Sequence, residues 1–332
     1  MADSKISALT EISVPALEDL TAWVDDPAGT PASNKASMTR ALGLVGQLPG
    51  GRLTLTSATP VTTTDVTTSS TVYYTPYLHD RIRIYDGTRW RLYVFAELSL
   101  ALSALTSGKN YDVFVYDNTG TLTLELSAAW TNDTTRADAL TTQDGVYVKS
   151  GATTRLYLGT IRTISTSATC DYAGGTTTNV GGQRYVWNAY NRVLRSMSVI
   201  DTTDTWSYAT DTIRQARATA GNKVEYVVGL QWELVKATVV SSMLLASNTS
   251  KGGKSMVGID STTTFAAGLW GAMLAAGSSA YITSVGLYTG YPGIGYHYLS
   301  WNEKGPTGGT TSFNGDGGSD QIQSGLTAEV WA

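Results

Sequence analysis

Arg184, Arg192 and Arg195 share the stretch RYVWNAYNRVLRSM, residues 184–197, with Tyr185, Trp187 and Tyr190. Guanidinium groups interleaved with aromatic rings can stack bases, hold sugars or join protein surfaces. The chain carries a formal net charge of −4. A dedicated nucleic-acid binder would be basic, so nucleic acid is not the expected partner. The stretch admits a helix; as a strand, it puts Tyr185, Trp187 and Ala189 on one face and Arg184, Val186 and Asn188 on the other, after which the pattern shifts. Neither face is wholly apolar. The expectation is a strand at a domain or subunit seam, with Tyr185, Trp187, Tyr190, Arg192 and Arg195 as interface residues. A sugar site and ordinary core are the alternatives.

Catalytic chemistry has fewer candidates. The two histidines are His79, beside Asp80, and His297, in the alternating GYHYLSW. Neither belongs to a recognisable triad, and no GxSxG elbow is present. A structural role, surface or strand-packed, is expected for both. SKGGKS (250–255) is reminiscent of a phosphate loop, but Asn248 stands where its first glycine belongs. An exposed turn is the expectation there. Asn314, Asp316 and Asp320 cluster in NGDGGSDQ without EF-hand spacing, and a solvated loop is expected rather than a calcium site. Glu225, Glu233 and Glu303 lie in strand-like segments. They could converge as a glycosidase pair, but outward-facing salt bridges are the simpler account. The expectation is therefore no catalytic residue, no cofactor, no metal and no enzyme activity. Aromatic residues are the remaining signal. Tyr288, Tyr291, Tyr296 and Trp301 crowd one short region and are the candidates to face a receptor.

The elements that must position these residues are strands. Charged residues make up 15% of the chain, below the usual quarter, and Thr about 50 residues, far above ordinary usage. Nineteen Tyr and nine Trp accompany them, a composition that suits pleated, half-exposed surfaces. Hairpins are predicted around Asp86-Gly87, Asn118-Thr119-Gly120 and Ser150-Gly151. Two long strands are predicted in 223–247, two more in 280–303 about Gly290–Gly293, and a last one in 325–332. Residues 173–183, AGGTTTNVGGQ, read as a loop. DGTRWRLY (86–93) and SGATTRLY (150–157) are a weak internal repeat or two similar hairpins. The fold class is all-β: an N-terminal anchor segment, then two β domains, the second a jelly-roll-like sandwich. The boundaries fall at 1–46, 50–200 and 206–332.

Residues 1–46 differ from the rest. SVPALEDL suits a capped turn of helix, TAWVDD a short strand and SNKASMTRALGL a second short helix. The segment is too small to bury much surface alone, so Trp23 and Leu42 are expected to dock against another protein. MADSKISALTEI carries no apolar core of signal-peptide length, and no apolar run reaches the ~18 residues of a membrane span. Synthesis in the cytosol without membrane insertion is expected. The single Cys170 can form no intrachain disulfide.

The leader KISALTEISVPALEDLTAWVDDPAGTP resembles the N-terminal segment of many tailed-bacteriophage appendage proteins. GGRLTLTSATPVTTTD, YYTPYLHDRIRIYDGTRW, AWTNDTTRADALTTQDGVYVKSGATTRLYLGTI and RYVWNAYNRVLRSM resemble a module recurrent in phage and prophage virion proteins. Together they span about residues 1–200; the remainder is similar only at fold level to the trimeric jelly-roll tips of fibres and of C1q-like proteins. The resemblance implies a structural virion protein: a short homotrimeric head or tail fibre, or a decoration protein. It would be anchored to capsid, collar or tail through residues 1–46 and exposed on the particle, where it could meet a host-surface glycan or protein. It carries over no catalytic residue. A tailspike-like protein that degrades or binds polysaccharide is the alternative.

Overall fold

The structure is a computed structural model that describes residues 20–25, 32–37, 49–175, 179–245, 252–266, 268–271, 281–318 and 321–332. The chain is all-β, as expected. Antiparallel sheets predominate, one of them curled into half a barrel. Among the described residues there is one 3-10 turn, Ala216–Ala218, and no α-helix. No described helix is long and apolar enough to cross a membrane.

Three large sheets carry the molecule. In the first, Asn110–Asn118 pairs with Thr121–Leu126 and with Ala152–Arg162. Val146–Lys149 and Val186–Asn188 also join Ala152–Arg162. In the second, Lys223–Val228 and Lys254–Ile259 both pair with the long strand Gly295–Lys304. Gly181–Arg184 runs parallel to Lys223–Val228 and antiparallel to Thr169–Gly174. In the third, Leu194–Ile200, Gly325–Trp331, Val235–Leu245 and Tyr281–Gly290 lie side by side. Smaller sheets join Gly51–Thr54 to Thr71–Pro76 and Arg81–Tyr85 to Trp90–Val94.

The predicted hairpins form where the turn residues allow. Thr119 and Gly120 both take positive φ, 51° and 94°, which the tight primed turn requires. The two similar phrases belong to hairpins in different sheets. The loop expected at 173–183 is narrower than its composition suggests, because Thr169–Gly174 and Gly181–Arg184 extend into it from both sides.

The N-terminal segment departs from expectation. Leu20–Asp25 is the predicted strand, but Ala32–Ser37 pairs with it, Trp23 opposite Asn34, where a helix was expected. Pairing with Leu20–Asp25 outweighs the weak helix preference of SNKAS. Leu42 and the SVPALE turn lie outside the described residues.

The boundary expected at 200–206 does not separate the sheets. The second sheet takes strands from both sides of it, from Val66–Ser69 to Gly295–Lys304. The larger core does likewise: Phe114, Tyr157 and Trp187 pack with Val224, Val239, Leu299 and Leu326. A second core lies under the small sheets, with Leu53, Tyr74, Ile82, Val113 and Leu156.

Candidate functional site

Residues 181–200 are one continuous run that visits all three large sheets. Gly181–Arg184 belongs to the second, Val186–Asn188 to the first and Leu194–Ile200 to the third. The sequence expectation, a loop to 183 and then one strand with a shift in its alternation, is replaced by three short strands, and Asn191 at φ 54° turns the chain between the last two. Each break changes which face a side chain occupies, so the sequence's shift in alternation is real.

Two arginines of this run, Arg184 and Arg195, point inward. Arg184 donates to Asp171 Oδ1 at 3.0 Å and to the Ser196 carbonyl at 2.8 Å. Arg195 donates to Asp171 Oδ2 at 2.9 Å and to the Thr62 carbonyl at 2.7 Å. Arg52 reaches the Ala332 carbonyl at 2.9 Å, the Pro60 carbonyl at 3.0 Å and the Asn191 carbonyl. Burial, then the neighbouring Arg195 charge, lowers the Arg52 pKa to about 10. Asn188 brackets Leu53 with a bond to its N–H (2.6 Å) and one to its carbonyl (3.2 Å). Asp171 is thus a carboxylate clamped between two buried guanidinium groups, a geometry in which each oxygen has its own partner.

The aromatic residues of the run are also internal. Trp187 is fully buried between the sheets and Tyr185 nearly so, edge-on to Tyr296 at 6.2 Å. Neither has surface left for a second subunit. Tyr190 is half-buried against the smaller core.

The carboxylates considered for catalysis do not converge. Glu225 and Glu303 address Gly295–Lys304 at Tyr298 and at its own position 303. Five residues of strand put them roughly 17 Å apart and on opposite faces. Nor do they face outward as expected. Glu303 is buried and accepts from Trp206 Nε1 (2.7 Å) and Arg214 Nε (2.8 Å), and burial raises its pKa. Burial pushes the Glu225 carboxyl up, but hydrogen bonds from Lys223 and Tyr296 outweigh it and leave the pKa lowered. Glu233 is buried and ion-paired with Arg192. Two other buried carboxylates, Asp112 and Asp201, are held by Arg136 and Arg217, each at 2.7 Å. Inward salt bridges replace outward ones because each arginine comes from a strand or loop distant in sequence, which local alternation does not encode.

His297 is buried with Nδ1 2.7 Å from Asp260 Oδ2. Ser255 of SKGGKS is buried in the strand Lys254–Ile259, where a phosphate loop would need a helix and where an exposed turn was expected. Asp316 caps its own turn through Gly318 N–H, and Asp320 lies outside the described residues. No group of three or more His, Cys, Asp or Glu that could hold a metal occurs among the described residues. Cys170 is buried, which pushes its thiol pKa up.

The candidates to face a receptor divide. Trp301 is fully buried against Trp206 and cannot meet a receptor; its strand is covered on both faces, so alternation misleads there. Tyr296 is tied to Glu225 beneath Arg162, whose guanidinium lies 3.6 Å from the ring centre. Tyr288 packs against the larger core. Tyr291, 66% exposed, is free to make contacts.

The exposed aromatic cleft lies elsewhere. Trp232 and Trp331, each 47% exposed, line it together with Tyr190, Arg192, Glu233 and Leu234. Tyr147 backs Trp232 at 5.8 Å between ring centres. Trp331 ends the strand Gly325–Trp331 opposite Leu194. Sequence reasoning passed over both tryptophans. The signal for Trp331 was present: TAEVW alternates, and Trp331 shares the outward parity of Thr327 and Glu329. Trp232 sits in a turn, where alternation says nothing. No family model matches the chain, and no curated protein matches it either.

Proposed function

We propose that this chain is a structural virion protein of a tailed phage, a short homotrimeric fibre or decoration protein that docks through residues 1–46 and presents its β body outward. The resemblance of residues 1–200 to phage appendage modules motivates the reading. The observation that carries it is the junction around Asp171. Arg52 bonds the Ala332 carbonyl across 280 residues of sequence, and Arg195 bonds Thr62 across 133. Such long-range ties make one stiff body from several sheets, which suits a particle appendage. The buried carboxylates Asp112, Asp201, Glu233 and Glu303 each hold an arginine. They serve as internal cross-links, which favours a non-enzymatic role. Deleting residues 1–46 tests the reading. The shortened chain is expected to keep its near-ultraviolet circular dichroism yet disappear from purified particles, and light scattering of the full chain is expected to give a trimer. Unaltered incorporation of the shortened chain, or a monomer, would refute it.

A further inference from the structure

We infer that the cleft between Trp232 and Trp331 is a saccharide-binding site for neutral pyranose oligosaccharides. Three observations carry it. First, the exposed tryptophans share one concavity, whereas the other described indoles that are fully buried, Trp130, Trp187 and Trp301, pack inside the chain. An exposed indole in a cleft retains a large apolar face in contact with water, and recovers that free energy only when a ligand covers it. Second, polar groups stand at fixed positions beside the rings. Glu233 is buried and holds Arg192, so both side chains are oriented before any ligand arrives. The partly exposed Arg192 guanidinium keeps N–H groups that can donate to a sugar hydroxyl, and preorganisation limits the ordering cost of binding. Third, a separate concavity opens on the third sheet, where Glu329 shares the outward face of Trp331 two residues along the strand. Lys236 and Glu329 are cross-strand partners there, followed by the partners Thr238 and Thr327.

The ligand class follows from this lining. Arg192 and Lys236 balance Glu233 and Glu329, so the surface selects no net charge. A pyranose has an apolar C–H face for an indole and a rim of hydroxyls for the polar groups, the combination a small-molecule site needs. Between the tryptophans and Val240 the face carries Lys236, Glu329, Thr238 and Thr327, with the exposed Leu287 opposite Thr238.

The inference deepens the proposed appendage role, and its test is independent of particle incorporation. The full chain is titrated by calorimetry with cellotetraose, maltotetraose, mannotetraose and chitotetraose. At least one is expected to bind with a Kd of about 1 mM or tighter. Trp232→Ala and Trp331→Ala are each expected to weaken that binding by about tenfold or more. Tyr291→Ala, an exposed aromatic outside the cleft, is expected to leave it unchanged. Should Trp331→Ala fail to fold, Trp331→Tyr keeps a ring in place and is expected to bind more weakly than the wild type. No binding by any of the four sugars would overturn the inference, as would equal binding by both alanine variants. So would loss of self-association in the variants of a chain that binds no sugar, which would make the cleft a contact between copies. Absence of the chain from particles would refute the appendage role and leave the sugar titration standing.

Discussion

The Asp171 junction and the Trp232–Trp331 cleft are built from the same residue types and meet in the same few residues of chain. Arg195 is buried while its neighbour Leu194 is exposed, because Leu194–Ile200 alternates between the interior and an open sheet face. On the inner side, Arg184 and Arg195 use their donors on Asp171 and on backbone carbonyls. On the outer side, Arg192 uses one nitrogen on Glu233 and stands over Trp187 at 5.4 Å. The difference teaches what an arginine–aromatic cluster is for. Where the guanidinium is buried and its bonds go to a carboxylate and to backbone carbonyls, the cluster fixes sheets to one another. Where indoles remain exposed beside a half-satisfied ion pair, it is equipped to hold a ligand.

The sharpest way to break this contrast is Asp171→Ala. It leaves two buried guanidinium groups without their shared counter-charge, and removal of one partner from a buried pair costs about 3–5 kcal/mol. Urea unfolding is expected to show a loss of that size. A loss near that of an exposed ion pair, below about 1 kcal/mol, would mean that water replaces Asp171 and that the junction is not a clamp.

A smaller effect is expected at Gly229, where the first and second sheets meet. A Cβ there would lie 2.1 Å from the Tyr157 hydroxyl and 2.4 Å from Trp187 Cε3. Gly229 also accepts Arg136 at 2.6 Å through its carbonyl, so its backbone is held in place. Gly229→Ala is expected to cost about 1–3 kcal/mol by overpacking. Thermal unfolding measures it, and an unchanged midpoint would show that Trp187 has room to move and that the seam is looser than its burial implies.

These two sites show where sequence reading works and where it stops. Hairpins were legible because a turn is a local event: Asp86-Gly87 and Thr119-Gly120 announce positive φ within two residues. The long strands of the C-terminal half were legible for the same reason, since alternation over ten residues needs no partner to be read. The passage of residues 181–200 through three sheets was not. Alternation gives the face of a strand but not the identity of its sheet, and Gly181–Arg184 finds a parallel neighbour some forty residues on, at Glu225 and Tyr226. Glu303 looked like a surface carboxylate because its arginine, Arg214, is 89 residues away. Arg192 was singled out, yet the tryptophans that give it a possible ligand come from a turn and from the last strand, and only the fold brings them together.

The smallest expected effect isolates a charge that belongs to neither region. Asp86 sits in the exposed turn between Arg81–Tyr85 and Trp90–Val94. Its carboxylate accepts from Arg91 and from the backbone N–H groups of Thr88 and Arg89, both at 2.8 Å. The Arg91 bond first, then the two backbone bonds, holds its pKa down at about 2 from the ordinary 3.8. A carboxylate whose folded pKa is depressed adds stability above the unfolded value and loses it as pH falls through the folded one. The contribution of Asp86 is therefore complete above 3.8 and lost progressively down to about 2. Carboxyl NMR is expected to find its titration midpoint near the lower value. Asp86→Asn keeps the turn's acceptor but not the charge, and is expected to flatten the acid dependence of unfolding slightly in that window. A midpoint near 3.8 would mean that Arg91 and the turn amides are solvated in solution. In that case a surface arginine–carboxylate pair contributes nothing here, and the contrast between buried and exposed guanidinium groups becomes sharper still.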